Sequence, residues 1–357
     1  MLEKPRKSVR RKSRGVTIDE VAALAGVSPM TVSRVINGQG KVRDATRERV
    51  MLAVRELDYT PNLAASSLAA AQHTRIALIY TDPSGAYLRE LLVGLLRGVA
   101  ARAAIQLVID YWDDLDPETE RKASRTLAKK VDGVILPPPL CESRPAVTEL
   151  VRGGIPVVSI ASGRFSDEIS CVRIDDFRAG KELAEHLIAQ GHRHIGFIKG
   201  RSDLSASARR FEGFKAALAE AGIPFESGLV QQGDYTYRSG LAAAEKLLGG
   251  QRSKPPTAIV AANDDMGAAA ISVAHRRGLD VPRDLSVVGF DDTSAATTVW
   301  PELTTIHQPI ASMADAAIDI LLRSIRRKDK TTRVLVDQVV PHRLTVRGTV
   351  AAPARKR

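Results

Sequence analysis

Ser28, Pro29, Met30, Thr31, Ser33 and Arg34 place small, hydroxylic and cationic side chains within seven consecutive positions. On a helix beginning at Pro29, the periodicity turns Pro29, Met30, Thr31, Ser33 and Arg34 outward and keeps Val32, Val35 and Ile36 inward. An outward face of that composition suits the major groove of duplex DNA, where hydroxyls meet phosphates and a guanidinium can fork onto a base edge. A second set is scattered through the chain. Tyr235, Asn263 and Asp291 each follow a short apolar run, and Arg210 lies early in an amphipathic stretch. Acceptors, an amide, a forked cation and an aromatic ring are the mixture that a hydroxyl-rich small molecule requires.

The first set needs a rigid support, and the flanking residues supply one. Ile18, Val21, Ala22 and Ala25 share one helical face, with Thr17 and Glu20 spaced as a capping box. Gly26 stops that helix, and Ser28 caps the next, with Pro29 at its first position. Two short helices joined by a three-residue turn read as a helix-turn-helix, or else as a plain αα-hairpin. A third helix from Asp44 as cap to about Leu57, with Val50, Val54 and Leu57 as its buried stripe, favours a compact three-helix headpiece. Beyond Pro61, Asn62 caps an Ala/Ser-rich helix of about two turns, too short to be stable alone. Leu68 on that helix fits a wedge between base steps, inserted from the minor groove.

Charge is distributed accordingly. The chain carries net +11, and residues 1–75 hold 14 Lys/Arg against 7 Asp/Glu. The basic run from Lys4 to Arg14 reads as a solvated, disordered arm that adds salt-dependent, sequence-blind affinity. No apolar stretch of 7–15 residues follows those charges and no run of 18 apolar residues occurs, so neither a secretory signal nor a membrane span is expected. Cys141 and Cys171 lack zinc-site spacing, and two thiols in so long a chain imply a reducing cytoplasm.

From Arg75 onward, apolar runs alternate with amphipathic stretches. Strands are expected at Ile76–Tyr80, Gln106–Tyr111, Gly133–Leu136 and Pro156–Ala161, then at Ile195–Lys199, Leu229–Gly233, Ala258–Ala262 and Leu285–Phe290. Helical patterns separate them, and a last helix, Ala311–Arg326, precedes a strand-like Arg333–Val346. Two successive βαβ series imply two doubly wound parallel-sheet lobes. Ligands bind such sheets beyond the carboxyl ends of the strands. The first strand ends in Thr81-Asp82-Pro83-Ser84 rather than Gly-x-Gly-x-x-Gly, which argues against a dinucleotide. Among the second set, Asp264 and Asp265 read better as helix caps than as ligand contacts. Tyr235 is either a stacking ring or a core-rim aromatic, and Arg210 either a ligand arginine or a surface residue.

The chain resembles the LacI/GalR family of bacterial transcriptional regulators, on Val-Thr-Ile-Asp-Glu-Val-Ala-Ala-Leu-Ala-Gly-Val-Ser, Thr-Val-Ser-Arg-Val-Ile-Asn and Tyr-Thr-Pro-Asn-Leu-Ala-Ala-Ser-Ser-Leu-Ala. The resemblance runs from about Thr17 to Gly348. It implies that Thr17, Thr31, Ser33 and Asn37 hold phosphates, that Pro29, Met30 and Arg34 face base edges, and that Leu68 intercalates at the operator centre. Met30 cannot make bidentate hydrogen bonds, which leaves Arg34 as the main polar base reader. The resemblance also makes Arg210, Asn263 and Asp291 effector ligands and Tyr235 a stacking ring. Ala161 stands where many members have Asp, so either that contact is lost or Asp82, with Ser84 beside it, supplies the acceptor.

The implied organisation is a basic arm over 1–15, a helix-turn-helix headpiece over 16–60, a hinge helix and linker over 61–74, and a flexible tail over 348–357. Between them, 75–347 forms a two-lobed periplasmic-binding-protein-like core: lobe 1 from about 75–173 and 306–333, lobe 2 from about 174–305 and 334–347. The expected protein is a cytoplasmic homodimer that binds a near-palindromic double-stranded DNA operator and a sugar-like effector, most simply as a repressor of carbohydrate-utilisation genes. No Gly-x-Ser-x-Gly, His-Glu-x-x-His or Walker A pattern occurs, so neither an enzyme nor a cofactor is expected. His192 and His194 have a spacing open to a metal but lack a cysteine partner, and His275 suits a helix carboxyl terminus.

Overall fold

The computed structural model describes residues 16–36, 42–59, 73–81, 85–112, 115–249, 254–327 and 334–354. The arm, Asn37, Asn62, Leu68, Asp82 and Ser84 lie outside the described residues, as does all of the expected hinge segment but its last two residues. The chain divides into two compact units, Met1–His73 and Thr74–Arg357.

The first unit contains α1 (Ile18–Ala25), α2 (Pro29–Ile36) and α3 (Asp44–Glu56). Thr17 and Glu20 form the reciprocal capping box, and Gly26 ends α1 with φ +62°. Ser28 Oγ accepts from the Thr31 amide at 3.3 Å. Asp44 does not cap α3. That position is Arg43, without a side-chain cap, and Asp44 lies in the first turn, where its charge complements the helix dipole. Val21, Ala22, Ala25, Val32, Val35, Val50 and Ala53 form the core that fixes the three helices.

The second unit holds two six-stranded sheets. Sheet one contains β1 (Thr74–Tyr80), β2 (Ile105–Tyr111), β3 (Gly133–Leu136), β4 (Val157–Ile160), β5 (Ser170–Arg173) and, much later, β11 (Asp337–Val339), in the order β11-β5-β4-β3-β1-β2. Sheet two contains β6 (Ile195–Lys199), β7 (Val230–Gln232), β8 (Ala258–Ala261), β9 (Ser286–Asp291), β10 (Thr304–His307) and β12 (Arg343–Thr345), in the order β12-β10-β9-β8-β6-β7. Among the described residues, every ladder is parallel except β10 with β12. The helices are α4 (Gly85–Ala100), α5 (Pro117–Ala128), α6 (Arg144–Arg152), α7 (Asp176–Ala189), α8 (Ser205–Glu220), α9 (Tyr237–Leu248), α10 (Asp264–Arg276), α11 (Ser294–Thr298) and α12 (Ile310–Arg326).

The carboxyl-terminal region departs from the sequence reading in two ways. The stretch read as one strand of lobe 2 is two: β11 extends sheet one beside β5, and only β12 joins sheet two. Nor is the tail free from residue 348. Thr349 is fully buried; its carbonyl accepts from Val287 N and its hydroxyl from Thr304 N. Those amides begin β9 and β10, and buried strand-end donors must find acceptors somewhere.

Close helix contact sets the geometry of the second lobe. A Cβ on Gly180 of α7 would lie 2.2 Å from the Arg210 carbonyl, and one on Gly213 of α8 would lie 2.0 Å from that of Phe177. Glycine at both positions brings the two backbones together and fixes where the side chains of α8 emerge.

Candidate functional sites

On the headpiece, Ser28, Pro29, Met30 and Arg34 are exposed, Thr31 and Ser33 are half-buried, and Val32 and Val35 are buried beneath them. Met30 is 65% exposed, as are Leu52 at 58% and Leu24 at 48% elsewhere on the same unit. Thr17 is exposed, but its hydroxyl and amide both engage Glu20. Within the unit, the sequence-identified groove residues of α2 form one contiguous outward face.

The second candidate is a cavity of about 60 Å³ between the sheets. Pro137, Pro138 and Ala161 line it from beyond β3 and β4; Tyr235, Asn263 and Asp291 line it from the carboxyl ends of strands in sheet two. Arg210 reaches it from the second turn of α8, and Tyr87, Leu88 and Gln308 complete the wall. A larger cavity of about 220 Å³ lies beside Ile155, Glu168 and Ile325, at the amino ends of β4 and β5. The smaller one occupies the strand-end position where doubly wound sheets bind ligands.

Arg210 is no surface residue. It is 5% exposed; Nε donates to Asp176 Oδ1 at 2.8 Å, Nη1 donates to the Ala262 carbonyl at 2.7 Å, and the guanidinium lies 3.6 Å over the Phe290 ring. Its Nη1 is 3.8 Å from Asp291 Oδ1. Burial disfavours the cation, but Asp176, Tyr235 and Asp291 together raise its pKa, so it stays charged. Asp291 adopts φ +109°, and its Oδ1 accepts from Gln308 Nε2 at 2.6 Å. Burial pushes the Asp291 carboxyl up to about 7 against the pull of Arg210, and Asp264 is also raised, by burial and then by the charge of Asp291.

Asn263 caps α10, accepting from Met266 N at 3.0 Å, while its Nδ2 donates to the Tyr235 carbonyl at 2.8 Å. The cap expected of Asp264 or Asp265 therefore belongs to Asn263. Asp264 instead fastens the next segments: it accepts from Thr293 N at 2.7 Å and from the Thr305 hydroxyl at 2.6 Å. Tyr235 has φ +76° and packs its ring over Gly200, where any Cβ would collide with it. Burial raises its phenol to about 12, which keeps it protonated.

Tyr87 and Gln308 escaped the sequence reading. Among the described residues, the Tyr87 hydroxyl and Gln308 Oε1 are buried side-chain atoms without a hydrogen-bond partner, and both residues line the cavity. A buried polar atom left unpaired costs about 1–3 kcal/mol unless a water or a ligand supplies the partner; His186 Nε2, away from the cavity, is in the same condition. The two histidines weighed as metal ligands are occupied otherwise. His192 bonds Thr257, Ser286 and the Ala351 carbonyl, and His194 bonds Glu226 and the Lys254 carbonyl. Among the described residues, no group of three or more His, Cys, Asp or Glu is arranged to hold a metal, and no helix is long and apolar enough to cross a membrane.

Comparison with known proteins matches residues 17–62 to the model for bacterial regulatory proteins of the lacI family, and 184–350 to that for a periplasmic binding protein-like domain. Catabolite control protein A of Priestia megaterium is 34% identical over 334 residues, covering 93% of this chain and 98% of the relative. The HTH-type transcriptional regulator DegA of Bacillus subtilis (strain 168) is 38% identical over 338 residues, covering 94% and 98%. Among solved structures, a transcriptional regulator CelR–cellobiose complex matches with TM-score 0.70 at 34% identity, covering 94% of this chain and 99% of that one. A lac repressor dimer bound to operator and the anti-inducer ONPF matches with TM-score 0.75 at 28% identity, covering 95% and 100%.

Proposed function

The chain belongs to the lacI family of bacterial regulatory proteins and is a DNA-binding transcription regulator, and from that premise we propose that it is a cytoplasmic, effector-controlled repressor of carbohydrate-utilisation genes. The observation that carries the DNA half is the α2 face: exposed Pro29, Met30 and Arg34 above a buried Val32–Val35 floor. Arg34 reads a base edge, Met30 contributes apolar contact, and Thr17, Ser28, Thr31 and Ser33 position the headpiece on phosphates. In the same reading Asn37 adds a phosphate contact, and Asn62 and Leu68 belong to a hinge helix whose leucine wedges the operator centre.

For the effector half, the unpaired Tyr87 hydroxyl and Gln308 Oε1 call for a ligand carrying hydroxyl groups. Arg210 already serves Asp176 and the Ala262 carbonyl, so it orients Asp291 and offers its remaining N–H groups. A small sugar between the apolar walls of Pro137, Pro138 and Leu88 and the ring of Tyr235 meets these demands. Asp82 and Ser84, directly after β1, are further candidates for its hydroxyls. Dimerisation is supported by exposed apolar side chains on adjoining elements: Val93 and Leu96 on α4, with Ile109 and Tyr111 on β2, the edge strand of sheet one, are each 41–50% exposed. Two such headpieces read a near-palindromic site.

The test is fluorescence anisotropy of wild type and Arg34→Ala on DNA from upstream of the protein's own and neighbouring genes, with shuffled DNA as control, at 50 and 200 mM salt. The expected result is tight wild-type binding to one fragment that persists at 200 mM, and a loss of about 1–3 kcal/mol of discrimination in the variant. Uniform binding to all fragments, gone by 200 mM, would leave only sequence-blind electrostatic attachment.

A further inference from the structure

Glu142 follows β3 in the first lobe, yet its carboxylate is spent on the second. Ser205 N, the first amide of α8, donates to both Glu142 oxygens, at 3.1 and 3.0 Å, and the Ser205 hydroxyl donates to Oε1 at 2.5 Å. From its own lobe, Ser162 Oγ donates to Glu142 Oε1 at 3.3 Å. Helix α8 has no cap of its own: the N-cap residue is Leu204, which offers no side-chain acceptor. The open amides of a helix start need acceptors, and a carboxylate there also meets the positive end of the dipole. This helix carries Arg210 into the cleft. Beside the carboxylate, the lobes touch through backbone: a Cβ on Gly163 of the first lobe would lie 2.4 Å from Ala206 N. At another point between the lobes, Arg89 Nη2 on α4 donates to Ser294 Oγ on α11 at 2.6 Å.

We propose that Glu142 is an interlobe catch and a positioning residue for the effector site: by capping α8 from the opposite lobe, it holds the cleft shut and keeps Arg210 in register with the first lobe's wall. Ligand pockets ordinarily span about 300–1,000 Å³, whereas this cleft measures about 60 Å³. Entry of a sugar-sized molecule therefore requires the lobes to part, and parting them requires Glu142 to release Ser205. That consequence for entry rests on the cleft's being the effector site. The catch itself does not, and it is measured without effector or DNA.

The experiment uses the full chain. Spin labels at the exposed positions of Lys130→Cys and Lys246→Cys, one in each lobe, report the interlobe distance in samples diluted with unlabelled protein; Cys141 and Cys171 are buried. Hydrogen exchange is followed on the peptide spanning 204–212. In otherwise wild-type protein the distance distribution is narrow. Glu142→Ala broadens it toward longer values and speeds exchange of the α8 start on the order of tenfold, and Glu142→Gln, which keeps one carbonyl acceptor, falls between. Gly163→Ala opens the lobes by a separate route, because its methyl displaces the α8 backbone. Unchanged distances and exchange in folded Glu142→Ala overturn the proposal. So does faster exchange with an unchanged distance, since Glu142 would then be only a local cap.

Discussion

Replacing Arg210 with methionine removes the cation around which the second lobe's buried carboxylates are arranged. Asp176 is 3% exposed and Asp291 6%, and Arg210 is the principal influence holding both carboxyls down against their burial. Methionine preserves apolar volume but leaves two desolvated acids without the cation they share, and the Ala262 carbonyl without its donor. Breaking a buried ion pair from one side costs about 3–5 kcal/mol, a large share of the roughly 5–15 kcal/mol that holds a domain folded. We expect a loss of about 4 kcal/mol at pH 8, read from urea unfolding of the core followed by circular dichroism. The sign with pH follows from the acids. Without Arg210, their folded pKa values rise further above the unfolded value of about 3.9. Each then favours folding at pH below that value, and the contribution is lost as pH rises through the folded pKa. The deficit is therefore smaller at pH 5 than at pH 8. Adding Asp176→Asn to Arg210→Met restores at least half of the loss, because it removes one of the stranded charges. A single-variant loss below about 1 kcal/mol at pH 8, or a pH-independent loss that Asp176→Asn leaves untouched, would refute the assignment of Arg210 as the lobe's electrostatic keystone.

Three further outcomes follow from the same geometry. Wild-type stability falls as pH rises from about 4 through about 7, because Asp291 has its folded pKa near 7; Asp291→Asn flattens that part of a melting-temperature profile recorded between pH 5 and 9. Tyr87→Phe deletes an unpaired buried hydroxyl, so thermal unfolding shows stability equal to wild type or up to about 1 kcal/mol higher, while effector affinity measured by calorimetry drops about tenfold. Thr17→Ala breaks the capping box on α1 and costs the headpiece about 1 kcal/mol, seen as faster hydrogen exchange in residues 18–25 with the core's exchange unchanged.

The headpiece was legible because its information is local. Thr17 with Glu20, Gly26, and Ser28 before Pro29 are punctuation within a few residues of the helices they bound. The alternation from Arg75 onward likewise announced two parallel sheets, since buried strands write themselves as unbroken apolar runs. Two strands were invisible for the opposite reason. Ser170–Arg173 and Thr304–His307 are four residues each, with two and three of them polar, and they are strands because their neighbours in the sheet supply the ladder. Missing β10 hid Gln308, which stands at its carboxyl end facing Asp291. Tyr87 was concealed differently, as the first aromatic of an amphipathic helix pattern. Arg210 and Asn263 were found by type and position, but not the work they do. A sequence does not display that Asp176, on a neighbouring helix, occupies the guanidinium, or that Asn263 caps α10 in place of the two aspartates after it. The burial of Thr349 against β9 and β10 was similarly unreadable from an Ala/Pro/basic tail.

The proposed effector control requires the cleft and the DNA-binding face to be coupled. Its most direct test is the affinity of the full-length protein for its upstream DNA fragment, measured by anisotropy with and without each member of a panel of neutral sugars, for wild type and for Gln308→Leu. If they are coupled, one sugar shifts the wild-type affinity by about 5–150-fold, and Gln308→Leu binds DNA like wild type but loses most of the shift. A DNA affinity that no sugar moves, or a shift that survives intact in Gln308→Leu, would contradict that coupling.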